Sequence, residues 1–231
     1  MLSTELPSHA SALFVLITFG LLHRFVQLVR DVTTNQTYVR VYGGLVLWLI
    51  VQAVLSIKGF YLVTSGVPPR LAVAILPPLL FIIYLFNSTW GKKLIEDLSL
   101  QNLTYLHISR FFVEIVLFWL FKSGEIPEDM TFEGRNFDIL TGISAPIVAY
   151  LHFTKQSLSR NALLVWNVIG LLLLLNVVGH GILSAPSVVQ QINFDQPNVA
   201  VLKFPLIWLP SFVVPVVLFC HLVAFRQLLK K

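Results

Sequence analysis

The sequence predicts an all-α, polytopic membrane protein, a single domain built as a bundle of seven transmembrane helices. The first observation is composition: 56% of the 231 residues are hydrophobic, 12% are charged, and the mean hydropathy is +0.81. Soluble domains carry about 25% charged residues, so a soluble core does not fit. The second observation is seven long apolar stretches, because a helix needs about 20 residues to cross a bilayer. The third is that the connections are short, which leaves no room for a separate soluble domain.

Polar or helix-breaking segments bound the first three predicted helices. Pro7 precedes the first, and the polar segment TTNQT (33–37) separates it from the second. The segment TSGVPPR (64–70) ends the second helix. Pro77 and Pro78 are expected to bend the third. The polar connection that follows contains LIEDLSL, which fits a short interfacial helix.

The remaining four helices are bounded in the same way. The fourth ends at the most polar stretch of the chain, residues 122–138, and the fifth is short and contains Pro146. The tight turn KQSLSR (155–160) precedes the sixth, which includes a run of five leucines at 171–175. The seventh predicted helix contains three prolines. The seven predicted helices occupy residues 10–30, 38–63, 71–87, 103–121, 139–154, 161–183 and 204–229.

The basic residues orient the bundle. With the N-terminus outside, the inner segments hold nine basic residues, namely Arg30, Arg40, Lys92, Lys93, Lys155, Arg160, Arg226, Lys230 and Lys231. The outer segments then hold five, namely Lys58, Arg70, Lys122, Arg135 and Lys203. Because cytoplasmic loops carry the excess of lysine and arginine, we expect the N-terminus outside and the C-terminus in the cytoplasm. Three glycosylation sequons, at Asn35, Asn87 and Asn102, would then lie inside, where no glycan is added.

The fourth helix carries the strongest local signal. His107, Arg110 and Glu114 are spaced i, i+3, i+7 and share one helical face. Arg110 and Glu114 are four residues apart and can pair. A lone charge in the membrane costs at least about 2.5 kcal/mol, so this face should point into the protein. It indicates either a binding or proton-handling site or a structural ion pair, and Gln52 and Asn167 are predicted at a similar depth.

Four histidines on four helices fall on the inner side: His23, His107, His152 and His221. Imidazole suits Zn, Cu, Fe and Ni, so these residues suggest a possible metal or haem site. The sequence contains no HxxxH, HExxH or CxxC spacing that would fix two ligands locally. The cofactor therefore stays unknown, with metal or haem possible.

A second polar group is predicted at the outer mouth of the bundle, formed by Arg135, Asn136, Asp138, Asn176 and His180. The segment containing the first three can be a re-entrant turn that lines a cavity, with Arg135 and Asp138 paired over its entrance. It can also be an outer loop tied down by a salt bridge, which we favour because solvated charge clusters on loops are common. Small residues such as Gly142 follow and should allow close helix approach. Lys203 is expected to snorkel toward the interface.

Three functional hypotheses fit these patterns. The first is binding or translocation of a small solute, lipid or proton at a site centred on Arg110 and Glu114. The second is a membrane enzyme or redox protein that uses the inner histidines. The third is a non-catalytic membrane subunit or sensor. The absence of a Walker A loop disfavours an ATP-driven pump.

The expected partners are the lipid bilayer and a small-molecule or ionic ligand, with no nucleic acid. Because the chain is compact and its loops are short, we expect it in a bacterial inner membrane.

Overall fold

The computed structural model describes residues 6–230, and all regular elements in that part of the chain are helical. The α-helices are α1 Ser8–Val32, α2 Asn35–Ile57, α3 Ala72–Asn87, α4 Thr89–Asp97, α5 Leu100–Leu106, α6 Ser109–Lys122, α7 Ile139–Ala149, α8 Arg160–Ser184 and α9 Val214–Leu229. Short 3₁₀ turns cover Phe60–Leu62, Glu128–Met130 and Ala200–Leu202. π-helical turns cover Tyr150–Thr154 and Leu209–Val213.

Five helical segments are long and apolar enough to cross a membrane. They are α1, α2, α5 with α6, α8, and α9 with its preceding π turn. The bent pair α3 and α4 is a sixth candidate if it is one span, and Ile139–Thr154 is apolar but shorter. Length and composition are therefore those of a helical, multi-pass membrane protein.

Hydroxyl side chains cap the N-termini of several of these helices. The side chains of Thr34, Ser88, Ser99 and Ser159 accept hydrogen bonds from backbone N–H groups in the first turns of α2, α4, α5 and α8. Such caps satisfy donors that the helix itself leaves free. The polar segments that separate the predicted helices thus act as start signals.

The chain bends by 88° between α3 and α4, at Ser88. Helix α3 continues through Pro77 and Pro78 to Asn87. A Cβ at Gly91 would lie 2.1 Å from the carbonyl oxygen of Leu85, so glycine is required where α4 folds back. The short helix expected near LIEDLSL is confirmed as α4, which begins earlier, at Thr89.

Helix α9 is the central helix of the bundle. It packs against α3, α4, α5 and α8, while α1 packs against α2 and α6, and α7 against α5 and α6. Two indoles fix α2 to the π turn before α9: Trp48 Nε1 donates to the carbonyl of Ser211, and Trp208 Nε1 donates to that of Leu49, both at 2.9 Å. This arrangement brings the polar residues of α6, α8 and α9 to one place.

Candidate functional site

The segment from Thr131 to Asp138 buries Thr131, Asn136 and Asp138 against the bundle, while Glu133, Arg135 and Phe137 are exposed. We call it the inserted segment. It runs antiparallel along α6. The Phe132 ring stacks on Phe118 at 5.0 Å, Asn136 Nδ2 donates to Glu114 Oε1 at 2.6 Å, and Asp138 binds Arg110. Asn136 is fully buried and Asp138 is 5% exposed. Asn136 and Asp138 therefore do not belong to a solvated charge cluster.

The side chain of Asn136 also bonds to backbone groups on both sides of it in the chain. Asn136 Oδ1 accepts the backbone N–H of Asp138 at 2.9 Å, and its Nδ2 also donates to the carbonyl of Met130 at 3.0 Å. Non-helical backbone at membrane depth is tolerated only where it is buried in protein or lines a cavity. Asn136 therefore supports an irregular segment where a simple loop could not lie.

Arg110 is the centre of the buried polar network. Its Nε donates to Asp138 Oδ2 at 2.6 Å, and its Nη2 donates to Asp138 Oδ1 and, at 2.8 Å, to the carbonyl of Gly170. Its Nη1 lies 2.9 Å from His221 Nε2. The predicted Arg110–Glu114 pair and Arg135–Asp138 pair are both wrong, because Asp138 pairs with Arg110. Arg135 is exposed, with its Nε 3.5 Å from Asp129 Oδ1.

Hydrogen-bond logic assigns the tautomer of His221. Arginine only donates, so His221 Nε2 accepts from Arg110. His221 Nδ1 then carries the proton and donates to Asn167 Oδ1 at 3.0 Å, while Asn167 Nδ2 donates to the carbonyl of Leu163. The chain Asn167–His221–Arg110–Asp138 joins α8, α9, α6 and the inserted segment, and all four side chains are buried.

Two glycines allow this close packing. A Cβ at Gly170 would lie 2.8 Å from His221 Cε1, so α8 could not approach as closely with any other residue. A Cβ at Gly142 would lie 2.4 Å from the backbone nitrogen of Phe111, which fixes α7 against α6. The sequence indicated close approach at Gly142. It gave no signal for Gly170, which lies just before the leucine run.

His107 joins the same cluster from the break between α5 and α6. Its ring lies 4.2 Å from the His221 ring, tilted by 34°, and edge-on to Trp166 at 5.5 Å. His107 is 1% exposed, and its Nδ1 has no hydrogen-bond partner among the described residues. His107, Arg110 and Asn167 thus all lie against His221.

The metal hypothesis required all four inner histidines to converge, and this prediction is wrong. His23 lies beside Phe19 and Tyr38 between α1 and α2, and His152 Nδ1 bonds to the carbonyl of Leu158 at 2.7 Å. Only His107 and His221 are neighbours. Within residues 6–230, no group of three or more His, Cys, Asp or Glu side chains is arranged to hold a metal ion.

Gln52 also lies apart from the Arg110 network. It is fully buried on α2, and its Oε1 accepts from the hydroxyl of Tyr61, which lies beyond the end of α2. Burial raises the pKa of Tyr61 to about 12, against the opposing effect of Gln52, so the phenol keeps the proton that it donates. The expected place of Gln52 in the central site is corrected by this contact.

The remaining outer-mouth residues pack between α8 and the inserted segment. Asn176 Nδ2 donates to the carbonyl of Arg135 at 2.8 Å, which joins α8 to the inserted segment. His180 Nδ1 bonds to the carbonyl of Asn176, one turn earlier in α8. Lys203 was expected to snorkel, but it is 5% exposed and its Nζ lies 2.6 Å from Glu125 Oε2. Its counter-charge removes the need to reach water.

A cavity of about 90 Å³ lies beside the network. Arg110, Glu114 and Asp138 line one part of it, and the rest is mainly apolar side chains of α3, α6, α8 and α9. Arg110 is held by its bonds to Asp138, His221 and Gly170. Glu114 uses only Oε1, and its Oε2 has no hydrogen-bond partner among the described residues. Glu114 therefore brings a free acceptor to an apolar cavity.

The fold and this network define a class: a helical, multi-pass membrane protein with buried ionisable side chains beside an internal cavity. Residues 68–229 match the family described as Domain of unknown function (DUF8737). The chain belongs to this family, because the match covers more than half of its length. The matched part contains Arg110, Glu114, Asp138, Asn167 and His221. No curated protein and no solved structure matches the chain.

Proposed function

We propose that the protein binds a small, mainly apolar solute that carries a positive charge or a hydrogen-bond donor, in the cavity beside Glu114. The observation that carries this proposal is the unpartnered Oε2 of a carboxyl that is 1% exposed and lines the cavity. Buried polar groups are normally hydrogen-bonded, so an orphaned one calls for a ligand or a proton. Ionisable groups inside a membrane are functional candidates for the same reason.

The balance of charge favours a cationic ligand over an anionic one. Arg110 and Asp138 neutralise each other through a two-point ion pair, which leaves Glu114 without an opposite charge of its own. An anion in the cavity would have to displace Asp138 from Arg110. A proton or an ammonium group would instead meet the free oxygen of Glu114 directly.

The dimensions of the cavity limit the solute. A cavity of about 90 Å³ holds several water-sized groups, so it admits only a solute of a few heavy atoms. The best small ligands gain at most about 1.5 kcal/mol per heavy atom, so a ligand of four heavy atoms gains no more than about 6 kcal/mol. The tightest dissociation constant for such a ligand is therefore roughly 40 µM.

A series of short alkylammonium ions tests this function. We expect propyl- and butylammonium chloride to raise the melting temperature of the purified protein, because a ligand that binds only the folded state stabilises it. Butyrate, with a similar chain and a negative charge, should give no rise. Glu114→Gln keeps the oxygen that accepts from Asn136 and should weaken the apparent affinity for butylammonium at least tenfold.

Glu133→Gln is the matched control, because it removes a carboxylate from an exposed ion pair with Lys122. Its response to butylammonium should stay within twofold of the unaltered protein. An equal response in Glu114→Gln, or stabilisation by butyrate in place of butylammonium, would remove the proposed role of Glu114. A melting temperature changed by Glu114→Gln but by none of the ions would favour a subunit or sensor.

We further propose seven crossings, with the N-terminus outside and the C-terminus in the cytoplasm of a bacterial inner membrane. The fifth crossing needs a separate argument, because α7 is short. Arg110 lies twelve residues before Lys122, or about 18 Å along α6, so Asp138 begins α7 deep in the bundle. The inserted segment and Ile139–Thr154 together can then complete one crossing, which supports the seven spans predicted from the apolar stretches.

Cysteine accessibility in the full chain tests this topology. The single native cysteine, Cys220, is buried and can be replaced by alanine. In that background, Ser123→Cys should react with a membrane-impermeant maleimide on intact cells, and Ser157→Cys only after permeabilisation. Both serines are exposed and flank the proposed fifth crossing. Labelling of both from the same side would show that this part of the chain does not cross.

A further inference from the structure

A surface groove of about 660 Å³ lies between α1 and the pair α5–α6, distinct from the cavity beside Glu114. Its walls are apolar over most of their length and include Leu16, which is 70% exposed, and Phe112, which is 42% exposed. A Cβ at Gly20 would meet nothing within 4 Å, so the groove is open beside α1 at this point.

One end of the groove is polar. Arg24, Asn102 and Tyr105 line it together. Within residues 6–230, the guanidinium of Arg24 makes no ion pair, and no hydrogen bond involves the side-chain amide of Asn102 or the hydroxyl of Tyr105. Three hydrogen-bond donors of different types therefore line the groove without protein partners among the described residues.

The position of Arg24 makes a missing counter-charge significant. It lies eight residues before the end of α1, or about 12 Å along an apolar helix. A charged side chain in the membrane costs up to about 2.5–3.5 kcal/mol at the centre, and less where it can reach the interface. An anionic group bound to Arg24 would lower that cost.

The groove has the length and polarity of a lipid. Leu13 lies eleven residues before Arg24, about 16 Å farther along α1. Asn102 and Tyr105 are close to the start of the antiparallel span, so they lie at the same end as Arg24. The polar groups thus occupy one end of the groove, and the apolar part of the groove extends from there along α1.

We propose that this groove binds one anionic phospholipid. Arg24 contacts its phosphate at two points, as guanidinium groups do with phosphate oxygens, and Asn102 and Tyr105 donate to the remaining oxygens. An acyl chain lies along Leu16 and past Gly20. Basic pockets between helices on the cytoplasmic side bind anionic headgroups, and the proposed orientation places Arg24 in that half of the membrane.

Lipid titration of the full chain in detergent tests the proposal. Phosphatidylglycerol and phosphatidylcholine with identical chains are added, and the apparent affinity is read from the rise in melting temperature. We expect phosphatidylglycerol to bind at least tenfold more tightly than phosphatidylcholine. Arg24→Gln should lose this preference. Lys93→Gln removes the same charge from an exposed position on α4 and should keep it.

A second variant separates a lipid from a free anion. Gly20→Leu leaves the charge of Arg24 in place and fills the part of the groove in which the acyl chain would lie. It should therefore weaken the apparent affinity for phosphatidylglycerol at least tenfold. Inorganic phosphate alone should not raise the melting temperature. Equal phosphatidylglycerol affinity in the unaltered protein and in Arg24→Gln or Gly20→Leu would overturn the proposal. Stabilisation by inorganic phosphate as large as that by phosphatidylglycerol would also overturn it, because it would identify a free-anion site.

Discussion

Replacing Arg110 with glutamine is expected to lower the free energy of unfolding by about 3–5 kcal/mol, the range measured when one partner of a buried ion pair is removed. Arg110 is 2% exposed and donates to Asp138, His221 and the carbonyl of Gly170. Without it, the carboxylate of Asp138 stays buried without a counter-charge. Asp138→Asn should cost a similar amount, because it leaves the guanidinium of Arg110 unpaired.

Unfolding in mixed micelles, followed by the fluorescence of the five tryptophans, measures this effect. Arg135→Gln is the control: Arg135 is close in sequence to Asp138, but its side chain is 74% exposed. Its loss should change stability by no more than about 0.5 kcal/mol. Equal effects of Arg110→Gln and Arg135→Gln would mean that Arg110 is not buried in an ion pair.

Gly142→Ala should lower the free energy of unfolding by about 1–3 kcal/mol, the usual cost of forcing an extra group into a packed interior. The new Cβ would lie 2.4 Å from the nitrogen and 2.9 Å from the Cα of Phe111. Both are backbone atoms, so relief requires α6 and α7 to move apart. Because α7 directly follows Asp138, the same movement should also weaken the stabilisation by butylammonium.

Gly179→Ala makes the same chemical change on α8, where the new Cβ would meet nothing within 4 Å. It should be neutral, or stabilising by up to about 1 kcal/mol, because alanine has the higher helix propensity. Comparable melting temperatures for the two variants would mean that α6 and α7 do not approach as closely as described.

Much of the helical fold could be predicted from composition and apolar runs, because each long helix must satisfy its own backbone in lipid. The start of α4 and the 88° bend could not, since they depend on how Ser88 and Gly91 meet the end of α3. The number of crossings depends on the bent pair α3 and α4 and on α7, where apolar length alone does not decide.

The candidate site was only partly predictable. Helical periodicity predicted that His107, Arg110 and Glu114 share one face of the fourth helix. Asn167 was added to the site because it was predicted at a similar depth in the membrane. The partner of Arg110 was misassigned because the nearest opposite charge in sequence is Glu114, whereas Asp138 reaches it only through the inserted segment. The shortness of the fifth apolar stretch was the available signal, since Ile139–Thr154 is short for a bilayer crossing.

Double-mutant cycles on Arg110 test the central arrangement most directly. One cycle combines Arg110→Gln with Asp138→Asn, and the other combines Arg110→Gln with Glu114→Gln. We expect the coupling energy with Asp138 to reach about 1–3 kcal/mol and to exceed the coupling with Glu114, because only contacting pairs depart strongly from additivity. Additive effects of Arg110 and Asp138, or a larger coupling with Glu114, would contradict the inserted segment and the free carboxyl that it leaves in the cavity.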